Sequence, residues 1–224
     1  SFLGRSLEMD DFIKSVVSIC DYIKAKKRSK KKMYLSFDEW NVWYQTPPLT
    51  DERWGRAVPM NENIFNVEDA IVVGLMMMTL LKNADRVRIA CLAQLINTIA
   101  PIMTKTGGGS WKQTTYYPFM HASLYGRGTV LQAIIDSPKY DSKLFTDVPY
   151  LDAVVTVNEE KEELTIFAVN RSLDEPLKVD CDIRSFPKFK VAEHLVLDHK
   201  DSGAVNTLEN PDNVVPRKSS KWVM

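Results

Sequence analysis

The sequence predicts an α/β segment followed by an all-β segment, and three observations carry that prediction. Residues 8–96 read in the order helix, strand, helix, strand. Beyond residue 129 the pattern changes to short alternating strands separated by charged turns. Hydrophobic residues make up 45% and charged residues 26% of the 224 positions, an ordinary globular mixture with enough apolar content for a core. That length allows one large domain or two small ones. The change of character places the expected boundary at 128–130, which gives units of 1–128 and 129–224.

Each element has its own local reason. In residues 8–26, Phe12, Ile13, Val16, Val17, Cys20 and Ile23 recur at three- and four-residue steps, the spacing of an amphipathic helix. The run "KAKKRSKKK" at 24–32 reads as a solvated helix end, with cations favourably placed at a helix C-terminus, rather than as a phosphate-binding patch. "MYLSF" at 33–37 is a short strand, apolar enough to be buried on both faces. The loop after it carries Pro47, Pro48, Gly55 and Pro59, and a loop of that length is expected to be functional.

Asn66, with Asp69 three residues on, is an N-cap for a helix over 67–82. That helix is apolar around its circumference and therefore expected to be well buried. "RVRIACLAQLI" at 86–96 is the next strand and completes a βαβ unit with a parallel, right-handed crossover. The order αβαβ fits a (β/α)-barrel or an open doubly wound sheet. Gly107, Gly108 and Gly109 read as a flexible connector, and "YYPFMHASLYGRG" at 116–128 as a short helix stopped by glycine. Two strands flank the charged turn "NEEKEE" within 150–170. "LKVDCDI" at 177–183 and "KVAEHLVLDH" at 190–199 continue in that style, the pattern of an antiparallel sandwich with no clear closing strand.

Composition also excludes. Twenty-nine basic residues balance 29 acidic ones, which argues against a dedicated nucleic-acid binder. The longest apolar stretch, at 71–81, is too short to cross a bilayer, and its three methionines read as core filling. Cys20, Cys91 and Cys181 are odd in number and far apart, and read as free buried thiols of a reducing compartment; no Cys/His cluster suggests a metal. His121 reads as a helix-packed histidine, and His194 and His199 as structural or solvated ones. The chain opens on "SFLGRS" without methionine, so its first residue is not expected to be the native start.

The segment "MYLSFDEWNVWYQ" at 33–45 concentrates the chemistry. In parallel α/β folds functional groups collect where strands end and the following loops converge. Glu39 sits at such an end, followed by Trp40, Trp43 and Tyr44. Aromatic faces pack against the C–H faces of sugar rings, so a carboxylate ringed by aromatics suits a carbohydrate site. Glycoside cleavage needs two carboxyl groups, one to protonate the leaving oxygen and one to attack or to activate water. Asn41 and Gln94 are candidates to hydrogen-bond sugar hydroxyls, since Gln94 falls late in the next parallel strand. Alternation points Asp38 to the other face, as a buttress. The residue types alone leave a plainer reading open, in which Glu39 forms a salt bridge and its tryptophan neighbour a packing anchor.

"YLSFDEWNVWY", "NVEDAIVVGLMMMTLLKNADRVRIACLAQLINTIAPIMT" and "WKQTTYYPFMHASLYGRG", with the segment "SPKYDSKLFTDVPYLDAVVTVNEEKEELTIFAVNR", together resemble the α-L-arabinofuranosidases of glycoside hydrolase family 51 along nearly the whole chain. The resemblance implies the last strands and helices of a (β/α)8 barrel followed by a C-terminal antiparallel β-sandwich. It implies a retaining enzyme that releases terminal α-L-arabinofuranosyl groups from arabinan- and arabinoxylan-type oligosaccharides. Glu39 maps onto the nucleophile, Gln94 onto a sugar-contacting glutamine and Trp43 onto a tryptophan beside the substrate. No metal or organic cofactor is implied; a cytoplasmic homo-oligomer, with a hexamer possible, is.

The family's acid/base glutamate lies upstream of the nucleophile, and only 38 residues precede Glu39, so that group is expected outside this chain, in an N-terminal part of the barrel with which the chain associates. Were the site complete here, Glu52, Glu62 or Glu68 would supply it. Two other readings compete: another retaining barrel glycosidase, such as a xylosidase or endoglucanase, and a non-catalytic carbohydrate-binding or assembly module with Trp40 and Trp43 as its stacking platform.

Overall fold

The computed structural model describes residues 1–44 and 61–221. The long loop with Pro47, Pro48, Gly55 and Pro59, and with it Glu52, lies outside the described residues.

A 3-10 turn, Phe2–Gly4, leads into α1, Arg5–Lys26, then β1, Leu35–Trp40. Helix α2, Val67–Lys82, occupies the residues expected of it. Its start is local chemistry: the Asn66 side chain accepts from the Asp69 backbone N–H at 3.0 Å, and the Asp69 carboxylate accepts from the Asn66 N–H at 2.8 Å, a capping box. Strand β2, Val87–Leu92, returns to pair with β1 in parallel.

β3, Ile102–Thr104, and β4, Ser110–Lys112, form a hairpin. Gly107 to Gly109 close it as an ordered turn, with Lys105 N donating to Gly109 O at 3.0 Å and Gly107 at φ +65°. The expected flexible connector is therefore a built turn. Helix α3, Tyr116–Tyr125, ends at Gly126.

The remainder is antiparallel. β5, Thr129–Leu131, pairs with β8, Leu151–Asn158, which pairs along its whole length with β9, Glu163–Asn170. β6, Lys139–Tyr140, pairs with β7, Val148–Pro149, and β10, Leu195–Val196, with β11, Arg217–Lys218. The strand expected at 177–183 does not form: the segment is irregular and Val179 stays exposed, so its alternating pattern finds no surface to bury against. The strand expected over 190–199 shrinks to Leu195–Val196.

The uniform apolarity of α2 has a spatial reason. One side packs with Ile13 of α1, Trp40 of β1 and Val87 of β2 through Val72, Val73 and Leu80. Another meets Val154 of β8, with Val130, Phe167 and Val169, through Leu75 and Met78. A third, Val67, meets Ala204 and Val214. A helix buried on several sides has no polar face to show.

A buried cation joins these layers. The Arg171 side chain is 0% exposed. It donates to the carbonyls of Leu3 at 3.2 Å and Pro149 at 2.8 Å, to the Ser6 hydroxyl at 3.1 Å and to the Asp152 carboxylate at 2.8 Å. Lys82, at the end of α2, pairs with the other Asp152 oxygen.

The parallel pair departs from expectation. β1 covers only one face: Leu35, Phe37 and Trp40 pack toward the helices, whereas Ser36, Asp38 and Glu39 are exposed. In β2, residues 88 to 91 are exposed as well. The strand expected to be buried on both faces is buried on one, because the described helices lie on one side of it. The cysteines are free, but Cys91 and Cys181 are exposed and Cys20 half-buried, which corrects the expectation of buried thiols. No described helix is long and apolar enough to cross a membrane.

Candidate functional site

The end of β1 breaks strict alternation. Phe37 pairs with Ala90 and Trp40 with Leu92, so three steps on β1 run against two on β2, and the register shifts between them. In a regular strand residue 39 would share the face of Phe37 and point at the helices. The extra residue lets Phe37 and Trp40 both face the helices, and leaves Asp38 and Glu39 between them on the exposed side. Bulges next to active sites commonly re-aim a side chain in this way. Asp38 is thus exposed beside Glu39, rather than turned to the opposite face.

Among the described residues the Glu39 carboxylate, exposed at the end of β1, makes no hydrogen bond or ion pair. The salt bridge of the plainer reading therefore does not form among the described residues.

The aromatics divide. Trp40 is 6% exposed and sits in the core with Ile13, Val72 and Val87, while Trp43 is 55% exposed. The two do not form a common stacking platform. Tyr44 donates its hydroxyl to Asp69, the same carboxylate that closes the capping box of α2. Burial, and then that carboxylate, push the Tyr44 hydroxyl well above the ordinary phenol range. Burial likewise pushes the Asp69 carboxyl up, against the hydrogen bonds from Tyr44 and Asn66 that pull it down.

Gln94 does not lie in β2, which ends at Leu92, but in the loop just past it. Ala93 N donates to Trp40 O at 3.1 Å, so the pairing of β1 with β2 extends to the threshold of Gln94. Gln94 itself is exposed, and its side-chain amide bonds to no described residue. Glu39 and Gln94 therefore leave adjacent parallel strands at the same end of the sheet, both open to solvent.

Asn41 corrects the sequence reading. Its Nδ2 donates to Ala93 O at 2.7 Å and to Ile99 O, and its Oδ1 accepts from Val42 N at 2.8 Å. Both amide hydrogens are spent on backbone, so none remains for a sugar hydroxyl. The partners lie 52 and 58 residues away in the chain, beyond any local signal.

Of the carboxylates considered for a second role, Glu62 is exposed before α2, and Glu68 lies in the first turn of α2, where its backbone N–H donates to Ser202 O at 3.3 Å. His121 is half-buried on α3 with its ring centroid 5.9 Å from that of Tyr125. Burial lowers its pKa and the Glu193 carboxylate opposes that shift. His194 lies just before β10, with its carbonyl accepting from Ser219 N at 2.9 Å, and His199 is exposed. Among the described residues no group of three or more His, Cys, Asp or Glu is placed to hold a metal ion.

With this geometry in view, known proteins place the chain. A family model described as the α-L-arabinofuranosidase C-terminal domain matches residues 38–223. A family 51 α-L-arabinofuranosidase from Bifidobacterium longum superposes with a TM-score of 0.89 over 96% of this chain and 44% of its own, at 37% identity. The chain belongs to the α-L-arabinofuranosidases of glycoside hydrolase family 51.

Relatives in this family are close. An intracellular exo-α-(1→5)-L-arabinofuranosidase of Halalkalibacterium halodurans is 59% identical over 208 residues, which is 92% of this chain and 42% of the relative. Another of that name, from Bacillus subtilis, is 53% identical over 98% of this chain and 44% of its own length. The chain spans less than half the length of these relatives.

Proposed function

We propose that this chain carries the nucleophile side of the active site of a retaining, exo-acting α-L-arabinofuranosidase. The observation that carries the reading is the placement of Glu39 and Gln94 at the same end of two adjacent parallel strands, both facing solvent past a register break that frees Glu39 from the helix face. A (β/α)8 barrel puts its chemistry at that end of its strands. In this reading residues 1–128 are the last part of such a barrel and 129–224 a β-sandwich domain.

Glu39 attacks the anomeric carbon as the glycosidic bond breaks, giving a covalent arabinosyl-enzyme. An acid/base glutamate outside this chain protonates the leaving oxygen and then takes the proton of the water that hydrolyses the ester. Gln94 hydrogen-bonds the sugar, and Trp43 packs by it as part of the substrate pocket. Trp43 and Gln94 suit these roles because each offers an exposed side chain at this strand end. The substrate class follows the names of the relatives: terminal α-(1→5)-linked arabinofuranosyl units of arabinan-type oligosaccharides. Their description as intracellular supports a cytoplasmic location, and the family resemblance extends the proposal to a homo-oligomer that needs no cofactor.

The test is hydrolysis of an aryl α-L-arabinofuranoside by the intact enzyme. Glu39→Gln should lower turnover by at least about 10³-fold with folding unchanged. Near-normal turnover by that variant would remove Glu39 from the mechanism. Faster cleavage of the aryl xyloside would redirect the substrate assignment.

A further inference from the structure

The loop that displays Gln94 is held from three directions, and one side chain holds both of its ends. Residues 93 and 99 bracket it, and their two carbonyls accept the two amide hydrogens of Asn41. Ile99 O also accepts from Gln94 N at 3.4 Å, and Ile99 N donates to Asn61 O at 2.7 Å. Next to it Ala100 O accepts from Gln113 Nε2 at 2.8 Å, and Gln113 is fully buried.

Within the loop Asn97 has φ +62° and Ile99 φ +40°. The left-handed region suits asparagine but is a genuine outlier for a β-branched side chain. Such a conformation persists only where its surroundings over-determine it. Here the Asn41 amide, at the Ile99 carbonyl, and the Asn61 carbonyl, at the Ile99 N–H, supply that constraint on the two peptides that flank the residue.

Asn41 itself is fixed. It lies two residues past Glu39, and its Oδ1 accepts from Val42 N at 2.8 Å, next to the buried side chain of Val42. Because both facing groups are carbonyl acceptors, the atom between them must be the donor nitrogen, which settles the amide orientation. The amide thus couples the strand end that presents Glu39 to the loop that presents Gln94.

We propose that Asn41 is a positioning residue, whose side-chain amide sets the Gln94 loop at its working distance from Glu39. The proposal rests on the reading of Gln94 as a sugar contact, and it deepens that reading by naming what places the contact. A displacement near 1 Å at a reacting centre costs about 10²-fold in rate, which is the scale at stake.

The experiment is a double-mutant cycle on kcat/KM of the intact enzyme with an aryl α-L-arabinofuranoside, using Asn41→Ala, Gln94→Ala and the pair, with thermal denaturation to show each is folded. Asn41→Ala should lose about 10- to 100-fold. The double variant should lose no more than Gln94→Ala alone, since a positioning residue has nothing left to position. Asn41→Asp keeps size and the acceptor for Val42 but faces two carbonyls with a carboxylate, so it should lose at least as much as alanine; it also serves if the alanine variant fails to fold.

Additive losses would mean that Asn41 acts independently of Gln94, and would overturn the proposal. So would wild-type kcat/KM for Asn41→Asp while Gln94→Ala is impaired, and in both cases the reading of the site survives. Unimpaired Gln94→Ala would overturn that reading and this inference with it.

Discussion

Trp40 and Trp43 are chemically identical and three positions apart, yet they lie in opposite environments. Trp40 fills the space between α1, α2 and β2, and Trp43 stands out in solvent. The energetic consequences separate cleanly. Trp40→Ala leaves a large cavity in a packed core and should cost about 3–5 kcal/mol of stability. Trp43→Ala removes little buried surface and should change stability by about 0.5 kcal/mol or less while raising KM for the arabinofuranoside. Denaturant midpoints and Michaelis constants of the two variants check both halves; a stability loss for Trp43 equal to that for Trp40 would refute the division.

What the sequence shows at this scale is the cluster of residue types, not their partition. "DEWNVW" announces a carboxylate among aromatics, but which tryptophan faces inward depends on a register break that arises only when β1 meets β2. The contacts of Asn41 are hidden for the same reason, since its acceptors belong to a loop more than fifty positions on.

Elements were legible where their causes are local. The Asn66–Asp69 capping box and the apolar run after it specify α2 to the residue, and the charged turn between β8 and β9 marks a hairpin whose register is regular over all eight pairs. Legibility failed where an element needs a partner. The segment 177–183 alternates as a strand should, but alternation stabilises nothing without a neighbour to pair with. Between elements, the most consequential contact was invisible to pattern: Arg171 reaches back to Leu3 and Ser6, far away in sequence.

Removing that guanidinium leaves the buried Asp152 with Lys82 alone. Arg171→Met should therefore destabilise the protein by about 3–5 kcal/mol, the usual cost of breaking a buried pair from one side. Arg171→Met combined with Asp152→Leu should recover part of that loss, because no buried charge then lacks its partner. Urea midpoints decide it, and a single variant within about 0.5 kcal/mol of wild type would show that the network is not what joins these layers.

At the scale of the whole molecule, the packing converges on α2, and the proposed site lies away from that core, at the exposed end of the parallel pair. Three apolar clusters draw on that helix, so α1, the parallel pair and the antiparallel sheet share one scaffold. The parallel pair then offers its other face, with Glu39 and the nearby Gln94 loop, to solvent. Rigid support on one side and open polar groups on the other is what a site built on strand ends requires. The family was readable from the ordered series of motifs, whereas the fine placement of the site was not, because it is made of long-range backbone contacts. A retaining mechanism adds one demand that geometry alone does not meet: a bond between Glu39 and the sugar.

The most direct test is to trap that bond. The intact enzyme would be mixed with an aryl α-L-arabinofuranoside bearing a good leaving group, quenched in acid during turnover, digested and mapped by mass spectrometry. One arabinosyl group should be esterified to the peptide containing Glu39, and none in the Glu39→Gln variant. An arabinosyl group on any other carboxylate, or turnover with no adduct at all, would contradict it.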